Sequence, residues 1–197
     1  MDARSVCHRL GIPHYLVDEA EEFQREVIAY FADEYRAGRT PNPCVRCNSN
    51  TKFRDLLRRG RALECDAIAS GHYVRMEARA DGPALLRGRD PDKDQSYFLH
   101  AVSAEALSET VFPLGDLAKD EVRRIAKDHG LAVHDKRDST GICFIGERRF
   151  SDFLARYLPA QPGDILDPHG ARIGSHRGLM FYTLGQRHGL GIGGQAG

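Results

Sequence analysis

Apolar residues recur every three to four positions through EAEEFQREVIAYFADEYRAG (19–38), where Phe23, Val27, Tyr30, Phe31 and Tyr35 fall close to one stripe. Glutamates in the first turn and Gly38 at the end complete the pattern of a long amphipathic helix. Ahead of it, GIPHYLVD (11–18) reads as a helix end at Gly11 followed by a short buried strand, HYLV. Behind it come a proline-rich cysteine loop, a second helix from about Thr51 to Leu63, and a strand, DAIAS (66–70). Strand, helix, loop, helix, strand predicts an α/β domain with a parallel sheet. Two strands are too few to complete a Rossmann-like sheet, so this stretch reads as the latter part of such a domain.

The pattern changes after GHY (71–73). YVRMEARADGPALLRGRD (73–90) alternates around an Asp-Gly turn and predicts a β-hairpin. Helices are predicted at about 103–110, at 118–130, where Val122, Ile125 and Ala126 share a face, and at 148–158. PAQPGDILDPHGARIG (159–174) is a turn-rich β segment. The boundary falls near residue 72, giving an α/β part (1–72) and a small α+β domain (73–197).

Composition narrows the class. An apolar content of 41% in 197 residues suffices for a core. There is no long apolar run, and MDARSVCHRL (1–10) lacks the apolar region of a signal peptide, so the chain reads as soluble and cytoplasmic. Five cysteines without an export signal argue against a structural disulfide framework. With 28 basic and 28 acidic residues there is no bulk polyanion-binding signature. Local basic runs, FRDLLRRGRALE (53–64) and Arg148–Arg149, read either as solvated helix faces or as phosphate-facing patches.

The cysteine loop TPNPCVRCN (40–48) carries the sharpest chemistry. Cys44 and Cys47 have the spacing of half a zinc site, but no second C-x-x-C or H-x-x-x-H supplies the other half. The alternatives are a thioredoxin-like pair or thiols that act on a substrate, and either is served by a helix entrance that favours a thiolate at Cys47. Cys143, in KRDSTGICFIGERRF (136–150), is flanked by the small residues Ser139, Thr140 and Gly141 and by basic residues. The plain reading makes it an apolar spacer in an ICFI strand. ASGHYV (69–74) puts Gly71 and His72 at the carboxyl end of a strand, where open α/β sheets bind ligands. DPDKDQSYFL (90–99) crowds Lys93, Asp94 and Gln95 into a polar loop.

Taken together, AGRTPNPCVRCN, ASGHYVR, DKDQSYFL, DSTGICFIGERRFSDFL and GLMFYTLGQRHGLGIGG closely resemble the MnmA family, the bacterial tRNA-specific 2-thiouridylases, over essentially the whole chain. The resemblance implies an adenine-nucleotide α hydrolase-like domain. It also implies ATP with Mg2+ to adenylate C2 of the wobble uridine in tRNAs for Lys, Glu and Gln, and a cysteine persulfide to deliver sulfur. By position, Cys47 matches the nucleophile and Cys143 the carrier of a persulfide received from a sulfur-relay donor protein. On this reading the two thiols approach each other and form a disulfide as sulfur leaves. Gly71 matches a nucleotide-contacting glycine and His72 a tRNA-contacting position. Asn42, Pro43 and Cys44 match the segment at the target base, and Lys93, Asp94 and Gln95 a tRNA-contacting loop.

Two departures qualify the resemblance. Many relatives hold an aspartate where this chain has Cys44, and three thiolates at Cys44, Cys47 and Cys143 also suit an iron–sulfur cluster. The family's SGGxDS phosphate loop is expected ahead of residue 1 and its carboxyl-terminal β-barrel after Gly197, so the isolated chain is expected not to turn over. A non-catalytic tRNA-binding module and an iron–sulfur or redox protein are the alternatives.

Overall fold

The structure is a computed structural model and describes residues 2–138, 141–146 and 150–192. Two compact units emerge: Met1–Val27 with Cys44–Ser139, and Ile28–Pro43 with Thr140–Gly197. The sequence-based boundary near residue 72 lies inside the first unit.

In the first unit, α1 (Asp2–Leu10) ends at Gly11, whose φ of +68° lets Gly11 N–H reach the His8 carbonyl and Ile12 N–H the Cys7 carbonyl. The predicted strand HYLV does not form: residues 13–19 are irregular, with Leu16 92% and Tyr15 72% exposed. A strand needs a ladder partner, and among the described residues none pairs with it. Helix α2 runs as Ala20–Phe23, a wider π-helical stretch Gln24–Ala29, and Tyr30–Arg36. Helix α3 begins at Pro43, not Thr51, and continues as Pro43–Arg46, a π-helical stretch Cys47–Asp55, and Leu56–Ala62. Proline suits a first helical turn because its missing N–H has no partner there anyway. The cysteine loop is therefore helical.

Polar pairs zip α2 antiparallel to α3. Glu19 meets Arg59, Glu22 meets Arg54 at 3.2 Å, and Glu26 meets Asn50 at 3.0 Å and Arg46 at 3.2 Å. The inner face of α3 presents Phe53, Leu57 and Gly60, all buried. A side chain at Gly60 would press on Ile68 Cγ2 at 3.2 Å, so glycine lets α3 cross β1 (Ile68–Ala69) closely. The predicted strand DAIAS shortens to β1 and does pair in parallel, though with a partner not anticipated from sequence. Ile68 aligns with Thr110 and Ala69 with Val111 of β4 (Thr110–Val111). The hairpin is as predicted: β2 (Val74–Arg79) and β3 (Gly82–Arg87) are antiparallel across the Asp81–Gly82 turn. Phe53, Leu57, Ile68, Val74, Leu99, Val102, Ala106 and Leu107 form the core. Helices α4 (Ala104–Ser108) and α5 (Lys119–Asp128) complete the unit; Ser103 caps α4 by accepting from Ala106 N–H.

The second unit is held by an aromatic cluster. Phe31 meets Tyr35, Phe144 and Phe153 edge-on at 5.0, 5.5 and 6.3 Å, above buried Leu154, Leu158 and Met180. Helix α6 is Phe150–Leu154, shorter than the predicted 148–158, whose Arg148 and Arg149 lie outside the described residues. A second hairpin, β5 (Gly163–Leu166) and β6 (Arg172–His176), turns at Asp167, whose carboxylate accepts from His169 and Ala171 N–H at 2.8 Å each.

Candidate functional site

Helix α3 sets both residues of the C-x-x-C pair in its first turns. Cys44 is half-buried and Cys47 is buried, at the point where the helix widens into its π-helical stretch. Such widened turns occur often at functional sites because they displace side chains from the regular helical stripe. Arg46 projects outward and is tied to α2 through Glu26. Burial acts to raise the Glu26 carboxyl, but the Asn50 hydrogen bond and the Arg46 charge outweigh it and hold the carboxyl below its ordinary range. Asn48 is buried beside Cys47, and its amide donates to the Phe98 carbonyl at 3.0 Å, anchoring the cysteine turn to the core. Pro43 is buried and Asn42 half-buried.

The end of β1 supplies the second group of residues. Ser70 Oγ and His72 Nδ1 lie 2.6 Å apart, and the imidazole lies 5.6 Å from the Phe53 ring at a 39° tilt. Burial, assisted by the Lys52 charge, pushes the His72 pKa down from 6.5 to about 4, so the ring is neutral near pH 7. The next residue, Tyr73, is clamped to the polar loop: its N–H donates to Gln95 Oε1 at 3.0 Å and its carbonyl accepts from Gln95 N–H at 3.2 Å. Asp94 accepts from Gly88 N–H at 3.0 Å and from Ser96 Oγ at 2.9 Å. Asp94 and Gln95 thus shape the loop and fasten it beside His72, and Lys93 is the member of the trio that faces solvent, its side chain 37% exposed.

Farther along α3, against β1, a recess of about 290 Å3 is lined by Val17, Phe53, Leu56 and Ile68 with Lys52 and Ser70 among its polar members. Apolar walls with a few convergent polar groups are the usual character of a small-molecule site, and this volume falls just under the roughly 300–1,000 Å3 usual for one. Gly71 lies exposed at the mouth of the strand that floors it.

In the second unit Cys143 is exposed. GICFIG is a tight turn and not a strand: Ile145 and Gly146 N–H both bond to the Ile142 carbonyl, and Gly141 and Gly146 take φ of +80° and +64°. Ile145 is buried and Ile142 and Phe144 pack on the same core, which leaves Cys143 as the residue turned to solvent. The spacer reading therefore fails. Ser139 and Thr140 lie outside the described residues. All five cysteines are free thiols. Sequence reasoning missed Ser70, Phe53 and Asn48; Ser70 lay inside the quoted ASGHYV string, but nothing in the string signals its bond to His72.

These groups, two helix-borne thiols, an α/β strand end and a small, largely apolar recess, sit on a recognisable scaffold. Residues 1–147 match a family model described as a tRNA methyl transferase HUP domain, and residues 151–197 match a tRNA methyl transferase PRC-barrel domain. The chain belongs to this family. The segment read from sequence as part of an α+β domain is thus matched, from 151 onward, as a barrel-type domain. The resemblance to the MnmA family is borne out by close relatives, each named tRNA-specific 2-thiouridylase MnmA. The relative from Shewanella denitrificans is 57% identical over 98% of this chain, that from Pseudomonas putida 56% over 98%, and that from Hahella chejuensis 55% over 100%. The matches cover 52%, 52% and 54% of those proteins, so the chain spans about half the length of the curated relatives it matches. Among the described residues no helix is long and apolar enough to cross a membrane.

Proposed function

We propose that this chain carries the sulfur-transfer half of a cytoplasmic tRNA 2-thiouridylase, with Cys143 as the persulfide carrier and Cys47 as the nucleophile that releases its sulfur. The observation that carries the reading is the contrast between the two thiols: Cys143 is exposed at a glycine-bounded turn, open to a sulfur-relay protein, and Cys47 is buried in a helix anchored by Asn48. The family description speaks of methyl transfer and the relatives' names of thiolation. Two cysteines of opposite exposure favour thiolation, which uses one thiol to carry sulfur and another to let it go.

ATP with Mg2+ would supply the adenylate that makes C2 of the wobble uridine, in tRNAs for Lys, Glu and Gln, open to attack. The apolar walls of the recess suit the face of an adenine ring, with Lys52 and Ser70 in its lining and Gly71 following Ser70 in the chain. The terminal sulfur of the Cys143 persulfide then bonds to C2 as AMP leaves with the C2 oxygen. Cys47 Sγ attacks Cys143 Sγ, the sulfur–sulfur bond of the persulfide breaks, and its electron pair stays with the sulfur on C2. The product is 2-thiouridine and a Cys47–Cys143 disulfide, which an external dithiol reduces. Residues up to about 72 belong to the nucleotide-binding part, which also brings Asn42, Pro43, Cys44 and His72 to tRNA. Residues 73 to 197 form the tRNA-contacting domain, with Lys93, Asp94 and Gln95 in contact with tRNA and Cys143 carrying the persulfide. Asp94 and Gln95 act largely by fixing the loop that presents Lys93.

A cluster role for Cys44, Cys47 and Cys143 finds no comparable support, since among the described residues no group of three or more His, Cys, Asp or Glu is placed to hold a metal ion. The test is mass spectrometry of the chain after exposure to a persulfide donor. One added sulfur atom on Cys143, absent in Cys143→Ser and retained longer in Cys47→Ser, is expected. Sulfur accumulating instead on Cys44 or Cys65 would overturn the assignment.

A further inference from the structure

We propose that Lys93, Lys119 and Arg123 form a binding site for one backbone phosphate of RNA, with Asp138 as a built-in anion that holds the three cations in place until the phosphate displaces it. The RNA part of this statement rests on the function proposed above; the anion site itself rests on geometry.

Three cations reach one carboxylate from separate places in the chain. Lys93 Nζ lies 2.9 Å from Asp138 Oδ2, Lys119 Nζ 3.1 Å from Oδ1, and an Arg123 terminal nitrogen 3.8 Å from Oδ1. Lys93 comes from the loop clamped to Tyr73, while Lys119 and Arg123 lie one turn apart on α5. Isolated surface pairs rarely justify ordering three long side chains, because each gains little in water and loses rotamer freedom. Here the backbone does the ordering. Asp90 accepts from Lys119 N–H at 2.9 Å and so secures the start of α5, while Asp138 is the carboxylate the cations share. Lys119 is further steered by the Tyr73 ring, 5.5 Å below its ammonium group.

The cluster also has an unused donor: Arg123 Nε is buried and without a partner among the described residues. A carboxylate offers two oxygens, already taken by three cations. A phosphate offers more acceptor oxygens and suits the forked guanidinium better. The four side chains are 26% to 40% exposed, so a solute anion can reach them. Lys93 and Lys119 hydrogen bonds hold the Asp138 carboxyl at about 2, which keeps it a competing anion at every working pH.

The experiment measures binding of an unmodified tRNA transcript to the 197-residue chain by fluorescence anisotropy over a series of salt concentrations. Lys119→Gln and Arg123→Gln should each weaken binding and lower the slope of log K against log salt by about one. Asp138→Asn, which removes the competing charge, should strengthen binding roughly three- to fivefold. Weaker or unchanged binding by Asp138→Asn, with an unchanged unfolding midpoint, overturns the proposal. A second arm titrates inorganic phosphate while following the side-chain nitrogen resonances of the lysines. If the wild-type chain fails to bind tRNA but phosphate shifts Lys93 and Lys119, the anion site stands and the RNA reading falls. If phosphate shifts neither and tRNA does not bind, both fall. Phosphate binding as tight as tRNA binding would identify a free anion as the occupant and overturn the backbone assignment.

Discussion

Acidification should cost this protein stability through one ring. His72 is half-buried against Phe53, with Ser70 Oγ 2.6 Å from its Nδ1, and its pKa falls from 6.5 to about 4 because burial and the Lys52 charge disfavour the imidazolium. Between those values the unfolded chain binds the proton and the folded chain does not. The contribution is therefore whole above pH 6.5 and is lost progressively as pH falls from 6.5 toward 4. An unscreened ring with these two values would lose about 2 kcal/mol between pH 7 and pH 5. Solvent reaches part of this ring, and screening brings the expected loss to about 1 kcal/mol. The assay is urea unfolding of the wild type and of His72→Gln at both pH values. The variant retains a polar group beside Ser70 but cannot titrate, so it corrects for the other eight histidines. Wild type should lose about 1 kcal/mol more than the variant over this interval. Parallel pH dependence of the two proteins would refute the account of a neutral, desolvated His72.

Two further outcomes are expected. Gly115→Ala should destabilise the first unit by about 3 kcal/mol or more in the same unfolding assay, because a Cβ there would stand 2.0 Å from the Val74 carbonyl oxygen, which the hairpin backbone holds in place; a loss under about 0.5 kcal/mol would show that the backbone gives way easily. Timed alkylation with iodoacetamide, read by peptide mass spectrometry, should label exposed Cys65 and Cys143 early and buried Cys47 last. Equal rates at Cys47 and Cys65 would contradict the burial of the cysteine turn.

Much of this molecule is written in local patterns. The stripe from Phe23 to Tyr35 sets a helix, the Asp-Gly pair sets the β2–β3 hairpin, and Gly11 and Gly38 end their helices because they accept positive φ. The strings around Cys47, His72, Lys93 and Cys143 were enough to suggest the family, since they report the chemistry that each segment must perform. Pairing and exposure were not legible there. HYLV has strand composition but no ladder partner, whereas DAIAS found one in Thr110 and Val111, some forty residues on. β-structure depends on partners distant in sequence, and helices largely do not. The same reason hid the site's supports. Asn48 at the Phe98 carbonyl, Ser70 at His72 and Asp138 among three cations are each made by bringing chemistry-bearing residues to a shared place. Cys143 reads in sequence as one more apolar residue of ICFI. Only the packing of Ile142, Phe144 and Ile145 into the aromatic core, with glycines bounding the turn, faces its thiol outward.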